Sequence, residues 1–337
     1  MTIILGIETS CDETAAAIVS SDGRILSNVI HSQTEHAAFG GVVPEIAARA
    51  HMEYLERLIG DAMTQAGCTW DNIDAIAVTG GPGLIGGVIV GVMTAKAIAS
   101  VHSKPFIAVN HLEGHALTVR LTNQVVFPYL LLLASGGHCQ FLVVHGVGNY
   151  SLLGGTLDDA LGEAFDKVAK MLGLPMPGGP NVEKLAKLGN PNKYSLPTPL
   201  KGREGCDFSF AGLKTAVRLV IQNNAPHDET FKADVCAAFQ KAACACVVDR
   251  TKHAIATFKT TYPDANQMVL AGGVAANLAI RGALEGLLAE HAMHLIAPPI
   301  ALCTDNAAMI AWAGLERFSL GMIDDLTFEP KARWPLS

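Results

Sequence analysis

The sequence predicts an α/β protein of two lobes, because two similar halves follow one another along its 337 residues. Patterns typical of strands and helices alternate throughout the chain, which favours a mixed α/β fold. The order strand, polar loop, strand, hairpin turn, strand begins at residue 3 and again at residue 129. Glycine accounts for 33 residues, an excess that indicates many tight turns and close backbone approaches.

The elements of the first half follow from local patterns. Short apolar runs bounded by polar or glycine turns predict strands, and apolar residues at helical spacing predict helices. The predicted strands are IILGI (3–7), AAAIV (15–19), RILSNVI (24–30) after a DG turn, IDAIAV (73–78) and FIAVN (106–110). The predicted helices span 42–67, which stops at a glycine, and 84–102.

The second half repeats the three leading strands and then adds helices. Its predicted strands are YLLLLA (129–134), CQFLVVHG (139–146), YSLLGGTL (150–157), QMVLA (267–271) and MHLIAPPI (293–300). Its predicted helices lie in 158–174, 211–224, 229–259, 278–290 and 305–321. A segment rich in proline, glycine and asparagine (175–210) is predicted to be a partly ordered insertion. We therefore expect a first lobe of 1–127 plus 306–337 and a second lobe of 128–305.

Composition limits the classes of function. The formal net charge of −7 means that nucleic acid must be bound through a local basic patch or a partner. Candidate basic residues are Lys201, Arg203, Lys214 and Arg218, and also Lys331 and Arg333. The eight cysteines form no CxxC pair, which is typical of a reduced cytoplasmic protein. The start has no basic region of a signal peptide, and the longest apolar run contains Lys96, so we expect no membrane association.

Three glycine-containing or polar loops follow predicted strands, namely TSCDET (9–14), SGGH (135–138) and AGGVAAN (271–277). Glycine lets backbone N–H groups approach phosphate oxygens, and a following helix N-terminus adds positive potential. None of the loops matches the P-loop or dinucleotide-binding pattern, and a single such turn is usually structural. Three of them in a duplicated frame favour nucleotide binding.

A histidine pair in NHLEGHALTV (110–119) raises the question of a metal site. His111 and His115 are four residues apart and would share one face of a helix. Glu113 would lie on the opposite side, whereas zinc proteases need the glutamate directly after the first histidine, where Leu112 stands. A third ligand is required, and Asp305 is a candidate between a strand and a helix. Spacing alone favours a different role for Asp305, as the N-cap of that helix.

The loops and the duplicated strands resemble the actin-like superfamily, which includes sugar kinases and heat-shock-chaperone ATPases. That resemblance implies duplicated mixed-sheet subdomains, in which TSCDET and SGGH contact phosphates and LAGGVAAN contacts adenosine. The first loop departs from the superfamily pattern D-x-G-[TS], because it reads IETSC with Glu8 in place of aspartate and no glycine. This departure argues against ordinary ATP hydrolysis or sugar phosphorylation.

Several segments together resemble the bacterial tRNA adenosine threonylcarbamoyltransferases, a family often labelled TsaD or Gcp. The matching segments are GIETSCDET (6–14), GGVVPE (40–45), TGGPGLIGG (79–87), NHLEGH (110–115), SGGH (135–138), GEAFDK (162–167), PGGP (177–180), DFSFAGLKT (207–215), AGGVAAN (271–277) and CTDNAAMIA (303–311). The resemblance runs nearly from end to end.

The resemblance implies one divalent metal, Fe(II) or Zn(II), held by His111, His115 and Asp305. It places the nucleotide-type substrate against Leu133, Ala134, Ser135, Gly136, Gly137, Asp166, Gly179 and Asn277. Asp12 and Glu13 lie at positions that the family uses near the reacting group, and the residue that takes the amine proton stays open among Asp12, Glu13 and His138. The implied reaction transfers a threonylcarbamoyl group from threonylcarbamoyl-AMP to N6 of adenosine 37 in tRNAs that read codons beginning with A.

The resemblance also implies partners. In bacterial members a shorter paralogous subunit pairs with this one, and a small ATPase joins them. The segment 43–59 resembles the pairing helix, although core packing would give the same periodicity. Two other functions stay open: an ATPase or carbohydrate kinase of the same superfamily, and a non-catalytic scaffold like the shorter paralogue, which should lack the histidine pair and Asp305.

Overall fold

A computed structural model of the chain describes residues 1–33, 36, 41–224 and 228–337. Gly40, which begins the GGVVPE motif, lies outside these residues. The chain divides into two compact units. The first contains Met1–Val125, Gly146–Asn149 and Thr304–Ser337, and the second contains Val126–His145 and Tyr150–Cys303. The main boundaries differ by two residues from the predicted lobes, and Gly146–Asn149, predicted in the second lobe, belongs to the first unit. Asp305 also falls in the first unit, because Thr304 and Asp305 lead directly into a helix of that unit.

The described residues form ten strands and nine α-helices. The strands are β1 (Ile3–Glu8), β2 (Glu13–Ser20), β3 (Ile25–Ser32), β4 (Ala75–Gly81), β5 (Phe106–Asn110), β6 (Tyr129–Ala134), β7 (Cys139–Gly146), β8 (Asn149–Gly155), β9 (Gln267–Ala271) and β10 (His294–Ile296). The helices are α1 (Pro44–Ala66), α2 (Ile85–Val101), α3 (His111–Asn123), α4 (Leu161–Met171), α5 (Gly178–Ala186), α6 (Ala211–Asn223), α7 (Glu229–Thr261), α8 (Leu278–Glu290) and α9 (Ala307–Ser319).

The two sheets have the same strand order. Within the described chain, the first sheet reads β3-β2-β1-β4-β5 and the second reads β8-β7-β6-β9-β10. In each sheet the first strand of the half pairs antiparallel with the strand that follows it and parallel with a strand that comes after a helix. The predicted duplicated mixed-sheet fold is therefore confirmed.

Three parallel strands of the first unit end at the same edge of the sheet. β1 pairs with β4, and β4 pairs with β5 as far as Gly81 and Asn110. The carboxyl ends of parallel strands lie side by side, and in open α/β sheets this edge is where ligands bind. Glu8 at the end of β1 and His111 directly after β5 are thereby brought to one edge, although 103 residues separate them.

Helix α9 packs directly on β1 because β1 contains a glycine at the crossing point. A Cβ atom at Gly6 would lie 2.5 Å from both the Ala307 carbonyl oxygen and the Ala311 nitrogen. The alanines of α9 complete the close approach, and Ala307, Ala308 and Ala311 are fully buried. The first sheet is thus covered by a helix that lies almost 300 residues further along the chain.

Several predicted elements differ in detail. β2 starts at Glu13, inside the predicted loop, because its pairing with β3 extends to Ser32. The predicted strand 293–300 is reduced to β10, since Pro298 and Pro299 have no N–H to donate to a sheet. The insertion 175–210 contains α5.

All eight cysteines, each within the described residues, are free thiols. None of the described helices combines the length and the apolar character that a bilayer crossing requires.

Candidate metal centre and nucleotide loops

The N-terminus of α3 presents the histidine pair. The Asn110 side chain caps this helix by accepting a hydrogen bond from the Leu112 N–H at 2.9 Å. The helix therefore begins at His111, and His115 follows one turn later on the same face. Both side chains are buried, and their rings lie edge to face with centroids 4.8 Å apart.

Asp305 meets both histidines. Its Oδ1 lies 3.1 Å from Nε2 of His115 and 3.4 Å from Nε2 of His111. One ligand atom from each of the three residues lies within 4.8 Å of the others. The N-cap of α9 is Asn306, whose side chain accepts from the Met309 N–H at 3.0 Å. The reading of Asp305 as a plain N-cap is therefore wrong, and its carboxylate faces the two rings.

The groups behind His111 fit a metal ligand. Nδ1 of His111 lies 3.0 Å from Oε2 of Glu8 and 3.1 Å from the Ser10 hydroxyl. A proton on Nδ1 that is donated to Glu8 leaves the lone pair of Nε2 available on the side of Asp305. Metal-binding histidines usually have this arrangement, in which a carboxylate fixes the tautomer and the ring orientation. The donor set of two imidazoles and one carboxylate suits Zn(II) or Fe(II).

Glu8 is itself held firmly. It is fully buried at the end of β1. Its Oε1 accepts from the Ser10 N–H, and its Oε2 accepts from the Thr79 hydroxyl, both at 2.5 Å. Burial raises the pKa of this carboxyl, but the positive charge of His111 outweighs burial and holds the pKa below its usual value. Glu8 is therefore a fixed anion that orients His111.

The electrostatics of the cluster favour a positive charge at His111. Burial lowers the pKa of His111, but the charges of Asp305 and Glu8 outweigh burial and raise this pKa well above its usual value. The pKa of Asp305 is correspondingly lowered, because the charge of His111 and the hydrogen bonds from both rings overcome burial. In the metal-free protein a proton thus occupies His111, where a divalent cation would replace it.

This competition predicts how metal affinity depends on pH. A ligand with a raised pKa keeps its proton to higher pH, so the metal must displace that proton throughout the neutral range. We expect the affinity for Zn²⁺ to rise about tenfold per pH unit until the His111 pKa is passed, and then to level off. Titration against a chromophoric chelator in a pH series measures the slope. An affinity that does not change across neutral pH would contradict the expectation.

Glu113 takes no part in the histidine cluster. Its carboxylate forms an ion pair with Arg317 at 2.8 Å and accepts from the Gly148 N–H at 3.0 Å. A zinc protease needs a glutamate that activates water at the metal. Because Glu113 is buried against Arg317 instead, the geometry argues against peptide hydrolysis, as the sequence spacing predicted.

Of the candidate acids, Asp12 lies in the loop between β1 and β2, and Glu13 is the first residue of β2. Burial, followed by the negative charges of Asp305 and Asp12, raises the pKa of Glu13 to about 9. The Glu13 carboxyl therefore carries a proton at neutral pH in the metal-free protein. The Ser10 hydroxyl, two residues before Asp12, lies 3.1 Å from Nδ1 of His111, so the β1–β2 loop adjoins the histidine cluster.

His51 in α1 makes one hydrogen bond on each side of Asp12 and Glu13, in the β1–β2 loop and at the start of β2. Its Nε2–H donates to the Cys11 carbonyl at 3.0 Å, and its Nδ1 accepts from the Thr14 hydroxyl at 2.7 Å. Burial lowers the pKa of His51, which keeps the ring neutral and able to make both contacts. The motif TGGPGLIGG supports the same loop, because a Cβ at Gly83 would lie 2.6 Å from the Ser10 carbonyl oxygen.

In the second unit, the SGGH turn is held from two sides. The Ser135 N–H donates to the His138 carbonyl at 2.7 Å, and the Gly162 N–H at the start of α4 donates to the Ser135 carbonyl at 3.2 Å. Gly272, with a φ of +88°, comes so close that a Cβ there would lie 2.5 Å from the Ala134 carbonyl oxygen. The structure thus brings together the SGGH and AGGVAAN loops. Gly136 and Gly137 are exposed, and a Cβ at either would meet nothing within 4 Å, so a ligand has room to approach this turn.

The other predicted substrate residues have structural partners as well. Leu133 and Ala134 are fully buried in β6, backbone included, and Leu133 pairs with both β7 and β9. Asp166 Oδ1 accepts from the Gly178 N–H at 2.8 Å and fixes the turn that carries Gly179. Asn277 caps α8 by accepting from the Ile280 N–H at 3.0 Å. Their substrate contacts stay predictions.

Sequence reasoning missed the supporting residues Glu8, Ser10, Thr79 and His51. In the sequence, Glu8 stands out only as a departure from a phosphate-loop pattern. That departure was the available signal, because a longer acidic side chain at the end of a central strand can reach a histidine at the end of another parallel strand. The roles of Ser10 and Thr79 depend on contacts that no local pattern encodes.

Comparisons with known proteins give a consistent result. The family model described as TsaD, tRNA N6-adenosine threonylcarbamoyltransferase, matches residues 24–312. A curated protein of that name from Paramagnetospirillum magneticum is 59% identical over 99% of this chain and 97% of its own length. Another from Rhodospirillum rubrum is 58% identical over 99% of this chain and 94% of its own length.

Solved structures support the fold alone. The HypF protein of T. kodakarensis superposes with a TM-score of 0.63 at 14% identity, over 95% of this chain and 48% of that one. Component A of the Acidaminococcus fermentans (R)-2-hydroxyglutaryl-CoA dehydratase gives 0.53 at 14% identity, over 94% and 97%. These neighbours have the actin-like fold that the duplicated sheets predicted. Together, the family match over most of the chain and the relatives of nearly equal length establish that this chain belongs to the TsaD family of tRNA N6-adenosine threonylcarbamoyltransferases.

Proposed function

We propose that the protein transfers the threonylcarbamoyl group of threonylcarbamoyl-AMP to N6 of adenosine 37 in tRNAs that read codons beginning with A. Family membership supports the class of reaction. The observation that carries the proposal for this chain is the meeting of His111, His115 and Asp305 within 4.8 Å, with Glu8 behind His111. A non-catalytic relative would have no need of this buried cluster.

The reaction joins a weak nucleophile to an activated carbonyl. A C–N bond forms between N6 and the carbamoyl carbon, the bond from that carbon to the phosphate oxygen breaks, AMP leaves, and N6 loses a proton. A divalent cation held by His111, His115 and Asp305, Fe(II) or Zn(II), would supply Lewis-acid polarisation of the carbonyl. Glu8 would keep His111 oriented for this purpose.

Two groups of residues would handle the rest of the chemistry. The N–H groups of Gly136 and Gly137 would bind the phosphate of the AMP part and hold it as a leaving group. Asp12 and Glu13 are the proposed groups for the N6 proton.

A single reconstitution tests the function. The purified chain is incubated with threonylcarbamoyl-AMP and unmodified tRNA, with and without the proposed partner subunits, and the nucleosides are analysed by mass spectrometry. We expect threonylcarbamoyladenosine that disappears after metal chelation, returns with added Fe(II) or Zn(II), and is absent when the target adenosine is replaced by guanosine. Phosphate release from ATP alone, with no modified adenosine, would support the ATPase or kinase alternative instead.

The proposed partner is the shorter paralogous subunit, and the first unit has a suitable surface for it. One face of α2 exposes Ile85, Ile89 and Met93, which follow each other at intervals of four residues. Met52 of α1 is also 72% exposed. Met52 belongs to the predicted pairing segment 43–59, whereas other apolar residues of that segment, such as Leu55 and Ile59, pack in the core. The corresponding helix of a paralogous subunit would pack its own apolar face against this one. The small ATPase would then join the pair in the cytoplasm.

Charge on this face should prevent pairing. Placing aspartates at Ile89 and Met93 puts two charges into a surface that association would desolvate, so we expect the paralogous subunit to bind about 100-fold more weakly. Isothermal titration calorimetry measures the change. Leu320→Asp is the control, since Leu320 is 62% exposed near the end of α9, outside this face. Equal binding by the α2 variant and the control would rule out the proposed surface.

A further inference from the structure

Two helices of the second unit bring four basic side chains to one cavity. Lys167 and Lys170 lie on α4, and Lys214 and Arg218 lie on α6. All four line a cavity of about 470 Å³, together with Met171 and Thr215. In the sequence, Lys214 and Arg218 group with the nearby Lys201 and Arg203. The fold instead brings them to two lysines that precede them by more than forty residues. We call these four residues the α4–α6 basic cluster.

A carboxylate fixes the inner two members. Asp159 accepts from the Lys167 ammonium at 2.8 Å through Oδ1 and lies 2.6 Å from the Lys214 ammonium through Oδ2. Glu163 also pairs with Lys167 at 2.8 Å. The two ammonium groups are therefore held side by side. Because these side chains are already ordered, they lose less rotamer entropy on binding an anion than a flexible lysine does. Each ammonium has three donors, so an oxyanion can be bound in addition to the carboxylates.

The outer two members extend the charge along both helices. Lys170 is one turn beyond Lys167, and Arg218 is one turn beyond Lys214. Both are exposed. The four cations outnumber the two carboxylates, Asp159 and Glu163, that pair with the inner lysines, on a protein whose net charge is −7. A double row of cations fits a ligand with successive phosphates better than a single small anion.

We propose that the α4–α6 basic cluster binds the phosphodiester backbone of the tRNA substrate. This inference rests on the proposed function, because it takes the polyanion to be the tRNA that the enzyme modifies. Phosphate contacts of this kind position a nucleic acid without reading its sequence. The inner lysines provide a fixed contact, and the outer residues provide the salt-dependent part of the attraction.

The test reverses the two exposed charges, with Lys170→Glu and Arg218→Glu in one full-length variant. We expect tRNA to bind at least about tenfold more weakly at physiological salt, and the slope of log Kd against log[salt] to fall by about two. The control is Lys187→Glu with Lys252→Glu, two exposed lysines of the same unit with the same change in charge. Equal affinities and salt slopes for the two double variants would overturn the inference.

Two further measurements separate the possible outcomes. Inorganic phosphate is titrated as a competitor: weak competition supports a polyanion site, whereas full displacement of tRNA at low phosphate concentration indicates a small-anion site and overturns the inference. The modified nucleoside is measured in parallel at saturating tRNA. Wild-type protein that binds tRNA through the cluster but makes no threonylcarbamoyladenosine would contradict the proposed function and leave the binding site intact.

Discussion

Replacing Asp305 with asparagine should lower the rate of transfer to tRNA by about 10³-fold, which corresponds to about 4 kcal/mol of transition-state stabilisation. Asp305 is the one carboxylate among the three candidate ligands, and its Oδ1 contacts both imidazoles. Asparagine keeps the shape but removes the charge that draws a divalent cation between the rings. The measurement is kcat/KM for modified nucleoside, together with metal content by atomic absorption.

Asp61→Asn is the matched control, because Asp61 is an exposed aspartate of the same unit. It should leave both the rate and the metal content unchanged. Asp305→Asn protein that keeps its metal and its rate would remove the basis of the metal centre. Protein that loses the rate but keeps the metal would assign to Asp305 a direct part in substrate contact.

Glu8→Gln should weaken metal affinity by about 10- to 100-fold, the usual cost of removing a carboxylate that orients a histidine ligand. The amide also offers an N–H₂ group where the Glu8 carboxylate accepts from Ser10, Thr79 and His111. At least one of these buried donors would lose its acceptor, which should lower the free energy of unfolding by about 1–3 kcal/mol. Chelator competition measures the first effect, and urea unfolding of the metal-free protein measures the second.

Thr79→Val separates the two effects of Glu8. It removes one donor to the carboxylate but keeps the charge and the contact with His111. We expect it to reduce stability and to leave metal affinity within about threefold of wild type. If Glu8→Gln also changed only stability, Glu8 would be a structural residue and would have no part in tuning the ligand.

The sequence was sufficient for the architecture because each half has strong local patterns. Short apolar runs bounded by turn residues, such as 129–134 and 267–271, are typical of strands. Both are strands with the predicted ends. Errors arose where a tertiary contact moved a boundary. β2 starts earlier than predicted because its partner strand extends to Ser32.

The candidate site was predictable only in part. The spacing of His111 and His115 indicated a shared helix face, because that geometry is local. The role of Asp305 could not be derived from spacing, since an aspartate before a helix is ordinarily a cap. Only tertiary structure shows that Asn306 takes the cap and leaves Asp305 for the rings. The supporting role of Glu8 and the α4–α6 basic cluster likewise depend on contacts between distant parts of the chain.

The arrangement of the first unit has a consequence for biosynthesis. Its sheet is made early in translation, but the helix that covers β1 at Gly6 ends only at Ser319. A ribosome-bound chain therefore exposes one face of the amino-terminal sheet while the whole of residues 150–303 emerges. The second unit is continuous apart from the short segment Gly146–Asn149, so all of its residues are synthesised before the first unit is complete. We thus expect the usual order of vectorial folding to be reversed, with the amino-terminal unit maturing last.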